Sequence, residues 1–270
     1  MQRPLPYTIN VQGRLLELSV PRVMGILNAT PDSFFSASRM QTEREIADRA
    51  TEIVEQGGDI IDVGAYSTRP GAADVPVEEE MTRLQFALQV IRREHPDVVL
   101  SVDTFRADVA RMCVEEYGVS IINDVSEMAD EAMARTVARL GVPYILMSVQ
   151  PALREMLIGF ADKVQRLRDY GAKDIIIDPG FGFGKTLEQN YQLMYELEKL
   201  HVLGLPLLVG ISRKSMIYKR LDCTPTEALN GTTVLNTIAQ TKGASILRVH
   251  DVREAVETIR LTLAELAKVE

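Results

Sequence analysis

The 270-residue chain has no tryptophan, two cysteines and three histidines. Cys113 and Cys223 show no metal-type spacing, and Cys113 falls within a helical pattern, where a buried inert thiol is expected. No apolar run is long enough to span a membrane, and no apolar signal segment opens the chain. No Pro-, Gly- or Ser-rich linker, charge block or low-complexity stretch divides it. These absences predict a soluble, cytoplasmic, single domain over residues 1–270. Excess positive charge is missing too: 30 Lys and Arg stand against 38 Asp and Glu, for a net charge of −8. That balance argues against a broad nucleic-acid surface and leaves room only for a local basic pocket that takes a small anion. No cluster of His, Cys and carboxylates has metal-ligand spacing. The glycines of DPGFGFGK (178–185) lack Walker or Rossmann order, so they are read as shaping a loop that brings Phe181 and Phe183 near a pocket. A core role for one of those two phenylalanines is an equal alternative.

What the chain does have is repetition. Eight apolar runs rich in β-branched residues recur: RVMGILN (22–28), DIIDVGA (59–65), VVLSVDT (98–104), VSIINDV (119–125), YILMSV (144–149), DIIIDPG (174–180), LLVGIS (207–212) and SILRVHD (245–251). Continuous rather than alternating hydrophobicity marks strands covered on both faces, hence a parallel sheet. Helical periodicity follows each run, at about 42–56, 78–94, 105–117, 130–140, 152–170, 187–201, 214–220 with 225–241, and 252–268. Eight βα units predict an α/β fold of the (β/α)8 TIM barrel type. Residues 8–20 read as a hairpin around Gln12-Gly13 that plugs the N-terminal mouth.

In such a barrel the chemistry sits at the strand ends. Read in order, these carry Asn28, Asp62, Asp103, Asn123 with Asp124, Ser148, Asp178, Ser212 to Ser215, and Arg248 with His250. Taken singly, Asp103 could cap a helix and Asp178 could form a turn; so many polar ends on one rim predict a ligand pocket. Asp178, Asp103 and Asn123 offer mainly acceptors, and Lys214 offers donors. The set suits a flat heterocycle with a guanidine-like edge that meets a carboxylate in two parallel bonds. Arg69, Arg248 and His250 add cationic or donor capacity for a phosphate or pyrophosphate, and Ser215 follows Lys214 at a helix start. His95 and His201 precede strands, at the opposite mouth, and are expected to be structural.

Seven of these segments carry a family resemblance. RVMGILNATPDSF (22–34), IIDVGAYSTRPG (60–71), SVDT (101–104), IINDVS (121–126), DPGFGFGK (178–185), GISRKS (210–215) and RVHDV (248–252) resemble, in order, the dihydropteroate synthase family. The resemblance implies a pterin-binding barrel, usually homodimeric, that condenses 6-hydroxymethyl-7,8-dihydropterin pyrophosphate with 4-aminobenzoate. It implies that Asp103, Asn123, Asp178 and Lys214 hold the pterin ring, with Met147 as an apolar wall. Asn28 would ligate Mg2+ together with the pyrophosphate, and Arg248 and His250 would bind the pyrophosphate. Thr68 and Arg69 would close over the reacting carbon; Phe34, Pro70, Phe183 and Ser215 would line the aminobenzoate site. Pyrophosphate departs first in this family, leaving a methylene cation for the aniline nitrogen to attack, so Arg69, Lys214, Arg248 and His250 are the residues expected to carry catalysis. Only small-molecule substrates are implied, with no nucleic-acid or membrane partner.

The chain departs from the family pattern at three places. Tyr66 stands where many relatives carry glutamate, and the first loop lacks an Asp-Gly-Gly stretch. After the fifth barrel strand a Met-His-Met run is replaced by LMSVQPALREM (146–156), with Ser148 at the histidine position and a shortened connection. This shortening leaves open a pterin-binding paralogue without turnover. A pterin-dependent methyltransferase is a further alternative on the same barrel.

Overall fold

A computed structural model describes residues 4–29, 39–66 and 75–266. Strands β1 (Thr8–Val11) and β2 (Arg14–Glu17) form an antiparallel hairpin that turns through Gln12 and Gly13, at φ of 55° and 79°. Two consecutive positive φ values match the twist of the flanking strands.

Eight parallel strands follow: β3 (Arg22–Asn28), β4 (Ile60–Gly64), β5 (Val99–Asp103), β6 (Ile121–Asp124), β7 (Tyr144–Met147), β8 (Ile175–Asp178), β9 (Leu208–Val209) and β10 (Ile246–Val249). Their order is β8-β7-β6-β5-β4-β3-β10-β9, and a parallel bridge from Ile177 to Leu207 joins the two ends into a barrel. The TIM barrel expected from the eight runs is the fold observed. β9 is the shortest strand because the chain is already turning at Ile211, whose carbonyl accepts from the Lys214 N–H at 3.1 Å.

The helices are α1 (Arg39–Glu55), α2 (Val77–Glu94), α3 (Ala107–Tyr117), α4 (Glu131–Leu140), α5 (Leu153–Asp169), α6 (Leu187–Glu196), α7 (Ser215–Leu221), α8 (Leu229–Thr241) and α9 (Val252–Leu266). Two differ from the sequence expectation. The segment 187–201 divides into α6 and a 3-10 helix over Leu197–Leu203, tightened around the buried Leu197 and Leu200. The segment 225–241 divides into a 3-10 turn, Pro225–Glu227, and α8. Here the Arg213 guanidinium takes the carbonyls of Pro225 and Thr226, at 3.1 and 2.5 Å, which a continuous helix would use itself. Among the described residues no helix is long and apolar enough to cross a membrane.

Side chains alternate across each strand. The outward set, such as Ile61, Val63, Leu100, Val102 and Ile122, packs against the helices. Inside the barrel, Met24, Ile60, Ile121, Ile145, Ile176, Leu208 and Ile246 form a separate apolar floor, closed from below by Ile9, Val11 and Leu18. The hairpin is thus the expected plug. Burying each such side chain contributes about 2–3 kcal/mol, which anchors the lower barrel. One step higher, the inward positions turn polar.

Candidate active site

Arg248 is the hub of the polar layer. Its Nε donates to Asp62 Oδ2 at 2.7 Å and its Nη2 to Asp103 Oδ2 at 2.9 Å. Asn123 Nδ2 donates to the same Asp62 oxygen at 3.1 Å. Sheet register explains the convergence: β5 pairs Asp103 with Asn123 of β6, and Asp62 of β4 lies beside Ser101 of β5. Among the described residues, Asp62 Oδ1, Asn123 Oδ1 and Ser101 Oγ are buried and have no hydrogen-bond partner. Buried polar atoms are nearly always satisfied, so these three mark a place for donors from a ligand or water.

Asp178 closes the opposite side from the end of β8. Its Oδ1 accepts from the Gly180 N–H at 2.8 Å, which leaves the other carboxylate oxygen for a ligand. The turn reading of Asp178 is thus observed, and the turn occupies only one of its two oxygens. Gly180 has φ of 66°, and a Cβ there would lie 2.2 Å from the Ser148 carbonyl oxygen, so no other residue fits. Lys185 Nζ ties the loop together by donating to the carbonyls of Ser148, Gly180 and Phe183 at 3.1, 3.0 and 3.2 Å. Lys214 Nζ donates to the Phe181 carbonyl at 2.6 Å and sits 4.7 Å from the Phe183 ring centre. Phe181 itself is wholly buried in the core, whereas Phe183 is half-buried beside Lys214. Each of the two readings of these phenylalanines holds for one of them.

His250 follows β10. The Ser212 hydroxyl oxygen accepts from the His250 backbone N–H at 3.1 Å and lies 3.0 Å from Nδ1. With the hydroxyl as donor to Nδ1, the ring proton of a neutral imidazole sits on Nε2; with Nδ1 as donor, the hydroxyl accepts twice. Arg49 holds the His250 carbonyl at 2.6 Å. Arg213 makes two bonds to Asp251, at 2.9 and 2.8 Å, and so fixes the segment between Ser212 and Lys214.

The environment shifts the charges of these groups. Burial pushes the Asp103 carboxyl up to about 7, with the Asp62 charge adding and Arg248 opposing. Burial also raises Asp178, against the pull of Lys214. Burial lowers Lys214 to about 8 and Lys185 to about 8, in both cases against Asp178. His250 is brought down to about 4 by burial and then by the Arg248 charge, so the ring is neutral at neutral pH. Burial works against the Arg248 charge as well, but Asp62 and Asp103 outweigh it and keep the guanidinium protonated.

Asp103, Asn123, Asp178, Lys214, Arg248 and His250 thus share one end of the barrel. Met147 is buried at an inward position of β7, Ser215 is the first residue of α7, and Asn28 is exposed at the end of β3. Phe34, Thr68, Arg69 and Pro70 lie outside the described residues. Asp103 caps no helix: the N-cap of α3 is Arg106. Asp124 is a correction, since it points to the helical layer and accepts from Tyr144 Oη at 2.5 Å and the Ser126 N–H at 2.7 Å. Asp62 and Ser212, counted among the polar strand ends of the rim but given no individual role, belong to the candidate site, as does Lys185, which the strand-end reading left out. For Asp62 the available signal was a carboxylate in the middle of an apolar strand run.

The remaining histidines are structural, as expected. His95 Nε2 lies 2.8 Å from Thr51 Oγ1, and His201 Nε2 lies 2.9 Å from the Lys242 carbonyl. A cavity of about 520 Å³ beside the hairpin, lined by Leu16, His95 and Val99 among others, contains none of the predicted site residues.

The family described as pterin binding enzyme matches residues 24–250, from β3 through the residue after β10. The dihydropteroate synthase of Escherichia coli strain K12 is 40% identical over 271 residues, covering 95% of each chain. This chain belongs to the dihydropteroate synthase family. Solved relatives share the whole fold. The enzyme of Xanthomonas albilineans with 4-aminobenzoic acid superposes with a TM-score of 0.90 at 35% identity, covering 97% of this chain and 99% of that one. The same organism's enzyme in complex with 7,8-dihydropteroate gives 0.87 at 33% identity, covering 97% and 99%.

Proposed function

We propose that the chain is a dihydropteroate synthase, joining 6-hydroxymethyl-7,8-dihydropterin pyrophosphate to 4-aminobenzoate with release of pyrophosphate. The observation that carries this reading is the set of acceptors inside the barrel, from Asp178, Asn123 and Asp103, placed within reach of one Lys and one Arg. Relatives with 4-aminobenzoic acid and with 7,8-dihydropteroate support the same reaction. The free oxygen of Asp178 takes the guanidine-like edge of the pterin, and Met147 walls the ring. Asn123 and Asp103 complete the ring contacts, with Lys214 as the donor.

Chemistry then requires the bond between the methylene carbon and the pyrophosphate oxygen to break, its electron pair leaving on pyrophosphate. The electron-rich dihydropterin spreads the resulting positive charge until the aniline nitrogen attacks and loses a proton. No strong base is needed. Arg248 supplies a permanent cation to the leaving group, using guanidinium N–H groups not committed to Asp62 and Asp103. His250, neutral, donates from Nε2. Thr68 and Arg69 close over the reacting carbon and exclude water. Phe183, Phe34 and Pro70 line the aminobenzoate site, and Ser215 bonds its carboxylate.

Among the described residues no group of three His, Cys, Asp or Glu could hold a metal alone. The exposed amide oxygen of Asn28 would hold Mg2+ together with the pyrophosphate, since this hard cation takes oxygen ligands. When bound, Mg2+ supplies charge neutralisation at the pyrophosphate. A homodimer is expected too; exposed Leu221 of α7, Val234 of α8 and Leu261 of α9 offer apolar area on the later outer helices. The free thiols of Cys113 and Cys223 support the reducing compartment of the cytoplasm.

Incubation with the pterin pyrophosphate, Mg2+ and 4-aminobenzoate tests the reading. Dihydropteroate should form only when 4-aminobenzoate is present. Asp178→Ala should abolish binding of a pterin analogue, and normal titration of that variant would sink the assignment. Pterin binding without product in the unaltered protein would instead favour the paralogue without turnover.

A further inference from the structure

The turn after β6 carries two adjacent non-glycine residues in the left-handed region, Glu127 at φ of 63° and Met128 at 57°. Side chains rarely adopt that backbone, and it persists only where contacts hold it. Met128 is 4% exposed. Glu127 turns its carboxylate inward: Oε1 accepts from Ser148 Oγ at 3.0 Å and from the Val149 N–H at 2.9 Å, with Lys163 Nζ of α5 at 3.6 Å. Asp124 pins the other end of the same turn through its bonds to Tyr144 and Ser126.

Ser148 is where this turn reaches the site. Its N–H donates to the Asp178 carbonyl at 2.9 Å, and its own carbonyl accepts from Lys185 at 3.1 Å. That carbonyl is also the atom packed so closely against Gly180 that no Cβ fits there. Ser148 therefore lies between Glu127 and the turn that aims the Asp178 carboxylate, and Met147 before it faces the pocket. Only five residues, 148–152, separate β7 from α5, so the connection has few groups of its own to satisfy the Val149 N–H or to fix Ser148.

We infer that Glu127 is a positioning residue for the pterin site: its carboxylate clasps the short β7–α5 connection and thereby holds Met147, Ser148 and the Asp178–Gly180 turn in register. The inference rests on the synthase reading and assigns Glu127 no contact with substrate.

Glu127→Gly, Glu127→Gln and the unaltered protein test it. Glycine suits the backbone at this position and removes the carboxylate, so the midpoint of thermal unfolding should hold or rise. Hydrogen exchange should nonetheless quicken in peptides over 144–152 and 176–186. Affinity for 6-hydroxymethylpterin should fall about tenfold, while the KM for 4-aminobenzoate stays unchanged. Glu127→Gln keeps the acceptor for Ser148 and Val149 and should restore both readouts. Unchanged exchange and pterin affinity in Glu127→Gly would overturn the clasp. If the unaltered protein binds no pterin, the synthase reading fails, and exchange over the Asp178 turn still decides whether Glu127 holds it.

Discussion

Arg248 and Asp62 meet inside the barrel at 2.7 Å although 186 residues separate them in the chain. The carboxylate is wholly buried, and its bonded oxygen serves Arg248 and Asn123 together. Removing one partner of a buried pair strands the other charge, whereas the pair as a whole adds little net stability. Asp62→Ala should therefore lower the unfolding free energy by about 3–5 kcal/mol, measured by urea denaturation. Asp62→Asn, which keeps an acceptor, should lose less. The substrate-side consequence is a lower kcat/KM, because Arg248 then leans on Asp103 alone. A loss below about 1 kcal/mol in the alanine variant would show that Asp62 does not fix the guanidinium.

Gly180→Ala should fail for a different reason. The backbone there has φ of 66°, and the new methyl would fall 2.2 Å from the Ser148 carbonyl oxygen, a backbone atom. The turn must open, and with it the bond from Gly180 to Asp178. Strain of this kind costs about 1–3 kcal/mol before the clash is counted. Pterin affinity should drop more steeply than stability, by calorimetric titration and denaturation respectively. Equal affinity in a folded variant would mean that the turn does not aim Asp178.

The pH dependence follows from two opposite shifts. Asp103 titrates at about 7 rather than 3.8, so between those values the folded state keeps a proton that the unfolded chain has released. Stability from this group falls as pH rises through that window. Lys214 titrates at about 8 rather than 10.5, so between those values the unfolded chain holds the extra proton and stability from Lys214 rises with pH. Function follows the charge rather than the stability. Affinity for the pterin pyrophosphate should decline above about 8 as Lys214 loses its proton. Lys214→Met should bind weakly at every pH and lack that alkaline decline. Asp103→Asn should lack the fall in stability below about 7.

The barrel was legible because its signals are local. Each of the eight runs holds one strand, and helix periodicity separates them. Inward Asp103, Asn123, Asp178 and Arg248 were legible as polar interruptions at strand ends. What escaped depended on three-dimensional register. Asp62 and Asp124 look alike in sequence, yet one faces the barrel interior and the other accepts from Tyr144 among the helices. The partition of Phe181 to the core and Phe183 to the pocket depends on the Gly180 turn, and Glu127 gave no signal because its partners lie some twenty residues away. Phe34, Thr68, Arg69 and Pro70 rest on the resemblance alone, since they fall outside the described residues.

Ser212 offers a test of the histidine that no stability measurement would reach. Its hydroxyl oxygen accepts from the His250 backbone N–H and lies 3.0 Å from Nδ1, so the hydroxyl is expected to donate there and favour the Nε2–H tautomer. A neutral imidazole that must donate to pyrophosphate can do so reliably only in one tautomer. Ser212→Ala removes that bias, so nitrogen chemical shifts of the ring should move from one tautomer to a mixture. The kcat should fall about tenfold, the usual scale for a lost orienting hydrogen bond, with the KM for 4-aminobenzoate unchanged. Because His250 titrates at about 4, acid should not rescue the variant near neutral pH. Ring shifts identical to those of the unaltered protein would show that another group sets the tautomer, and would leave Ser212 only its backbone contact to His250.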